Sequence, residues 1–535
     1  DWVYEEEFAF IKAYDWSPDS KYIAYLKFDE RQVKEFSMTF YNELYPESYD
    51  FKYPKAGEEN SKVSIHIAQV ERGNEQEVFI GQYEYIPRME WSPSKNELIL
   101  QSMNRHQSSL KYHLVDLKAD TWASSVIFEE KSETYVDVDD NLIFLNDGNS
   151  ILRTSEMDGY KHIYKLSFDG THTQITSGKW DVIDFLGLNA KSNTIYYSSS
   201  EPHATQKSVY GIQVNGKNKT ELTTAKGYNN AEFLKGMKYF IHTYSNANTP
   251  PVISLRNVKG KLVETLEDND RLAKLIKSSY TLSPKTFSTI ETDAAILNTW
   301  MILPHDFDST KKYPVYFNVY GGPGHNEVLD SWDGSDYMYH QLLAQKGYVV
   351  FCVDPRGTMY RGAEFKKSTY LELGKLETED ILSCAKVLGE YSWIDKERMG
   401  IMGWSYGGFM SSLAITKGAD LFKMAIAVAP VTSWRYYDNI YTERFMRTPQ
   451  ENADGYDDNS PINHVDKLQG NYLLIHGAAD DNVHYQNTME MVNAMVAANK
   501  QFDLFIYPNK NHGIYGGNTR NHLFQMMFDY ILKNL

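Results

Sequence analysis

Between Tyr313 and Leu535 the sequence repeats one pattern: a short apolar run, a polar or glycine-bearing loop, then a helix-like stretch. Runs that are apolar on every residue are buried on both faces. Alternated with helices, they predict a mostly parallel sheet covered on both sides. At the centre of this pattern Met399–Met402 leads into Gly403-Trp404-Ser405-Tyr406-Gly407 and then a small-residue-rich segment from Gly408 to Ile415. Strand, sharp turn and helix are the context of a nucleophile elbow, in which the turn lifts a serine hydroxyl out of the sheet. The flanking glycines fit a turn too tight for a Cβ. An ordinary Gly/Ser turn has the same five letters, so the partners of Ser405 decide the reading.

A serine nucleophile needs a general base, and the base needs an orienting carboxylate. In the order Ser…Asp/Glu…His, the last two belong on loops after later strands. Asp480 follows the strand-like Tyr472–His476, and His512 follows the strand-like Phe502–Tyr507. Both would then lie at the carboxyl ends of strands, where an open α/β sheet places its site. Asp481 competes with Asp480, and His464, His476 and His484 compete with His512. His476 falls inside a strand and His484 starts a helix, so both fit less well. The oxyanion needs two donors. One is the N–H of Tyr406. The other belongs to the loop after Tyr313–Tyr320, as an N–H of Gly321-Gly322 or the phenol of Tyr320.

Up to about residue 280 the pattern differs. Asp15–Tyr25 is echoed by Glu90–Leu100, with Trp16-Ser17-Pro18 answered by Trp91-Ser92-Pro93, and more weakly by Leu188–Tyr197. Each is a strand, a polar turn and an alternating strand. Repeated units of this kind predict β-propeller blades, and at about 40–50 residues per blade the region holds about five or six. An array of β-sandwiches is the alternative. Residues 30–57 interrupt the repeat and read as a long, tyrosine-rich, irregular insertion. The opening Asp1–Phe8 carries Glu5, Glu6 and Glu7 beside aromatics, and by itself such a charge run reads as a solvated face. The expected division is residues 1–280 in blades and 281–535 in the α/β domain.

A chain of 535 residues exceeds the roughly 250–300 that one core supports. The net charge of −17 is dispersed, which argues against nucleic acid as a partner. No apolar run approaches the roughly 18–20 residues of a membrane span. Cys352 and Cys384 read as buried free thiols, and no metal-ligand spacing is present. No metal or cofactor is implied. The sequence opens on Asp1-Trp2 without Met, and a further N-terminal portion is expected to precede it.

Asp1-Trp2-Val3-Tyr4-Glu5-Glu6-Glu7, taken with Gly403–Gly408, Trp434–Arg444 and His476–His484, resembles the dipeptidyl peptidase IV-like branch of the prolyl oligopeptidase family, in a bacterial member. The resemblance implies a β-propeller, partial in this chain, followed by an α/β-hydrolase domain. It implies a serine exopeptidase that releases Xaa-Pro or Xaa-Ala dipeptides from free amino termini through an acyl-enzyme on Ser405. Prolyl tripeptidyl and acylaminoacyl peptidases are the near alternatives, and a catalytically silent propeller binding protein is the alternative of another class. By the resemblance Glu6 and Glu7 grip the substrate ammonium. Asp480 and His512 complete the triad, and Tyr320 joins Tyr406 at the oxyanion. Val431, Trp434, Tyr437, Tyr441 and Val483 wall the proline pocket, and Asn482 holds the P2 carbonyl. The family arginine that assists Asn482 would precede Asp1. A homodimer built through the hydrolase domain and a propeller arm, and a periplasmic or secreted location, are implied as well.

Overall fold

The computed structural model describes residues 1–117 and 122–535. Among the described residues, its first half holds five four-stranded antiparallel sheets, running from Tyr14–Trp16 to Leu262–Glu267. Apart from one insertion, strands adjacent in sequence are adjacent in each sheet. That is the meander of a propeller blade, without the crossovers of a sandwich. The Trp-Ser-Pro echo has a structural cause. Ser17 and Ser92 close equivalent turns by donating their N–H to Tyr22 O and Glu97 O. Trp91 Nε1 then donates to Asp15 O at 3.0 Å and ties the first two blades together.

The insertion at 30–57 corrects the reading of an irregular segment. Glu35–Phe40 pairs in antiparallel register with Glu47–Lys52, forming a hairpin between the second and third strands of the first blade. Its apolar residues alternate, Phe36, Met38 and Phe40 on one strand and Tyr49 and Phe51 on the other, and Met38 is buried while Phe36 stacks on His484. The alternation is short and lies within a long polar, tyrosine-rich stretch, so the segment reads as irregular.

Trp2–Phe8 is a short helix. Asp1 caps it by accepting from Tyr4 N at 3.2 Å, and Ala9 ends it in the left-handed region with φ 48°. It buries Val3, Tyr4 and Phe8, which turns the glutamates toward the other side.

The second half is one eight-stranded sheet. Its spatial order is Thr286–Glu291, Ile296–Ile302, Val349–Asp354, Tyr313–Val319, Ile394–Trp404, Met424–Val428, Asn471–Gly477 and Asp503–Tyr507. The first three neighbours pair antiparallel and the rest parallel. Separate apolar clusters cover its two faces. On one of them the helix Lys375–Gly389 presents Ile381, Cys384, Ala385 and Leu388, all fully buried. Cys352 and Cys384 are buried free thiols. The two halves are cross-tied by Arg105, whose guanidinium donates to both oxygens of buried Glu443 at 2.6 and 2.8 Å.

Candidate active site

Ser405 sits between the strand Ile394–Trp404 and the helix Tyr406–Lys417, with φ 60° and ψ −116°. A non-glycine residue in that region is strained and needs surroundings that enforce it. They do. Ser405 N donates to Val428 O at 2.8 Å, and Phe409 N donates to Ser405 O at 3.0 Å. A Cβ on Gly403 would lie 2.2 Å from the Gly407 backbone, and one on Gly407 would lie 2.2 Å from Val319 O. Both glycines are therefore required by contact with backbone, which cannot step aside.

Asp480 and His512 meet on loops beyond the ends of their strands. His512 Nδ1 donates to Asp480 Oδ2 at 2.7 Å. Asp480 Oδ1 accepts from Asn482 N at 3.0 Å and Val483 N at 2.9 Å. Burial would raise the acid's pKa, but the two histidines beside it outweigh burial and hold it down at about 2. For His512 burial works against the charged ring, yet the Asp480 carboxylate wins and raises its pKa. Trp404 Nε1 donates to His512 O at 3.1 Å, fastening the histidine loop to the elbow strand.

The rival residues have other places. His476 is buried in its strand, with Nδ1 against Thr488 Oγ1 at 2.7 Å and Nε2 shared between Val483 O and Asp480 Oδ2. It is a second support of the same carboxylate. His484 is buried between the rings of Phe36 and Tyr53, at 3.5 and 4.0 Å between centroids. His464 faces outward and bonds Asp458 O. Asp481 is half-buried, and its charge acts on Glu6.

Tyr406 opens the elbow helix, where a backbone N–H has no carbonyl one turn earlier to bind and the helix dipole favours an anion. Tyr320 stands across from it, the two rings 6.0 Å apart. Burial pushes the Tyr320 phenol up to about 12, so it is a neutral donor. A Cβ on Gly322 would lie 2.7 Å from the Tyr320 ring and 2.9 Å from the Tyr406 ring, so glycine is needed where the loop after Tyr320 passes between them.

Beside the elbow four aromatic rings form a box. Trp434 lies 5.4 Å from Tyr406, 5.7 Å from Tyr437 and 5.7 Å from Tyr441, and Tyr437 meets Tyr441 edge-on at 5.3 Å. Val431 and Val483 are buried next to it. The short helix Trp434–Tyr436 and the helix Asn439–Met446 position these rings.

Glu6 and Glu7 reach this assembly from the far end of the sequence. Asn482 Nδ2 donates to Glu6 Oε1 at 2.7 Å, and Tyr437 OH donates to Asn482 Oδ1 at 2.5 Å. Burial first, then the charge of Asp481, raises the pKa of Glu6. Burial raises Glu7 to about 7, against the nearby Arg444. The glutamate run is thus more than a solvated face.

The N-terminal region model of dipeptidyl peptidase IV matches residues 1–251, and the prolyl oligopeptidase family model matches residues 335–535. A probable dipeptidyl peptidase 4 of Arthroderma benhamiae is 33% identical over 96% of this chain and 69% of its own length. The crystal structure of Porphyromonas gingivalis dipeptidyl peptidase 4 superposes with a TM-score of 0.96 at 43% identity, over 100% of this chain and 76% of that one.

The chain belongs to the prolyl oligopeptidase family.

A probable dipeptidyl-aminopeptidase B of Aspergillus terreus is 33% identical over 100% of this chain, which spans 62% of the length of that relative. Within this family fold, three contributors to the site escape a reading of the sequence. Glu377 is buried, accepts from Tyr406 OH at 2.6 Å and from Gly374 N at 3.0 Å, and is pushed up to about 7 by burial. It anchors the side chain of Tyr406, the residue that follows Ser405. Asp354 accepts from the N–H groups of Glu327 and Val328 at 2.9 and 3.1 Å, which fixes the loop after Tyr320. Asp438 is fully buried and caps the helix Asn439–Met446 by accepting from Tyr441 N at 2.9 Å. Burial and the neighbouring Glu7 push its carboxyl well above the ordinary range. Glu377 and Asp354 lie outside any motif. Asp438 lies inside one, between Tyr437 and Asn439, and only its contacts show what it does.

Proposed function

We propose that the protein is a serine dipeptidyl peptidase that removes Xaa-Pro or Xaa-Ala dipeptides from peptides with a free amino terminus. One observation carries the reading: Asn482 hydrogen-bonds Glu6, Tyr437 and the Asp480 carboxylate at once. The amine-facing acids, the aromatic box and the triad are therefore one rigid assembly. Charge pairing with Glu6 and Glu7 fixes the substrate's ammonium, and the penultimate residue enters the box of Trp434, Tyr437, Tyr441 and Tyr406. A proline ring suits that apolar box because it brings no N–H needing a partner. The following carbonyl then meets Ser405, so the cut length is set by position rather than by sequence.

Ser405 Oγ attacks that carbonyl while His512 takes the hydroxyl proton, with Asp480 stabilising the imidazolium. The tetrahedral oxyanion is held by Tyr406 N–H and by the Tyr320 side of the site. His512 returns the proton to the leaving amine, and water, activated by the same histidine, hydrolyses the dipeptidyl ester. The relatives' names as dipeptidyl peptidases support this chemistry.

Chromogenic Xaa-Pro, Xaa-Xaa-Pro and amine-blocked substrates test the reading. Cleavage of the free-amine Xaa-Pro substrate is expected, and preference for either of the others would overturn it. A homodimer is proposed as well, supported by the apolar tip of the 35–52 hairpin, where Leu44 and Tyr45 are 90% and 80% exposed. Sedimentation of the wild type and of Leu44→Asp/Tyr45→Asp reads the association state. The proposed location is periplasmic or secreted, by likeness to the family, and cell fractionation tests it.

A further inference from the structure

The segment Phe51–Glu58 leaves the inserted hairpin and runs between the two halves of the site as a strap. Ala56 N donates to Tyr437 O at 3.0 Å, and Asn439 N donates to Pro54 O at 3.0 Å. The strap thereby pairs with the backbone that carries Tyr437, Asp438 and the start of the pocket helix. Gly57 N donates to Glu443 Oε1 at 2.7 Å one turn further along that helix. Lys55 spans to Gln486 through its Nζ, over the rings of Phe36 and Tyr436.

Tyr53 is the centre of the strap and is 2% exposed. Its ring lies between Trp2 of the glutamate helix, at 4.7 Å, and His484, at 4.0 Å. Its hydroxyl donates to Asn482 O at 3.0 Å. Asn482 is the residue whose side chain joins Glu6 to Tyr437, and whose N–H holds Asp480. Every other polar group of Asn482 faces the site. The carbonyl alone faces away, and Tyr53 holds it.

We propose that Tyr53 is a positioning residue for substrate binding, acting through Asn482 to set the distance between the amine-binding glutamates and the aromatic box. It touches no substrate. This inference rests on the dipeptidyl peptidase reading of the site and adds a determinant outside its walls. The hydroxyl fixes the peptide unit that joins Asn482 to Val483, so its loss frees the Asn482 side chain to turn while the Asp480–His512 pair, braced separately by His476, stays in place.

Tyr53→Phe keeps the ring and removes only the hydroxyl. KM for a free-amine Xaa-Pro substrate is expected to rise about fivefold, the size of one lost buried hydrogen bond. The value of kcat and the rate of Ser405 labelling by a fluorophosphonate should stay within about twofold. In the Asn482→Ala background the same substitution is expected to change KM little, because the side chain it orients is gone. An unchanged KM in the single variant, or an equal rise in both backgrounds, overturns the proposal. So does a loss of labelling in step with turnover, which marks general loosening. Hydrogen exchange gives a reading that needs no turnover: the amides of Asn482 and Val483 should exchange faster in Tyr53→Phe, with the elbow helix unchanged. Should the wild type label with the fluorophosphonate yet cleave no free-amine substrate, the functional reading fails while exchange still decides the role of Tyr53.

Discussion

Asp480 and Glu7 are both carboxylates pressed into protein, and the regions around them treat the charge in opposite ways. Burial pushes both upward. Around Asp480 two histidines and two backbone N–H groups supply positive or donor character from within the protein, and the carboxyl ends at about 2. Around Glu7 burial and the charge of Glu6 outweigh Arg444 and a hydrogen bond with Asp438, and the carboxyl ends at about 7. In the first region the opposing charges outweigh burial; in the second Arg444 does not, and on the proposed function a substrate ammonium adds the further positive charge. Desolvation penalises each charge similarly, so the difference lies in the neighbours, and it fits the proposed division into a catalytic region and a selecting one.

The largest test of the contrast is Asp480→Asn. It keeps the shape but reverses the hydrogen-bond sense toward His512, and kcat is expected to fall about ten-thousandfold, as when a triad carboxylate is made neutral. Steady-state kinetics read it, and a loss below tenfold would remove Asp480 from the triad. Next comes Glu6→Ala/Glu7→Ala. Removing the charges that face the ammonium should lower kcat/KM for free-amine substrates about a hundredfold or more. Fluorophosphonate labelling, which needs only the catalytic region, should hardly change. If labelling and turnover fall together, the two regions are not separate.

That separation also explains what the sequence made legible. The elbow could be read because its constraints are local: Gly403 and Gly407 are forced by backbone a few residues away or on the adjoining strand. Asp480 and His512 could be placed by chain order, since parallel strands deliver their loops to one end of the sheet. The selective region is assembled from Trp2–Phe8, Tyr53, Asp438 and Asn482, which are hundreds of residues apart in places. No period or spacing joins such residues; only a family likeness pointed to Glu6 and Glu7, and nothing pointed to Tyr53. The seven-residue glutamate helix is too short to show helical periodicity, and the hairpin beside it packs its alternating residues on His484, a contact that no local pattern announces.

The two regions should also separate by pH. On the proposed function, turnover needs Glu7 ionised and His512 neutral. The folded pKa of each lies above its ordinary value, so both requirements fail as pH falls. With Glu7 at about 7, the ionised fraction drops about tenfold from pH 8 to 6. The acid limb of kcat/KM is therefore expected to be steeper than one proton, whereas labelling of Ser405 should follow His512 alone. Parallel limbs would mean that Glu7 does not titrate in the working range.

Asp438→Asn has the smallest expected effect and bears most directly on why Glu7 differs from Asp480. Asparagine remains a good helix cap, so the bond from Tyr441 N is retained. Asp438 is itself held neutral by burial and by Glu7, and its hydrogen bond favours the ionised form of Glu7. An amide in the same place can still donate, so the acid limb of kcat/KM should move by less than about half a pH unit. The labelling profile should not move. A downward shift of about one unit in the turnover limb would mean that Asp438 carries charge in the free protein, and that its repulsion, rather than burial and Glu6, holds Glu7 up.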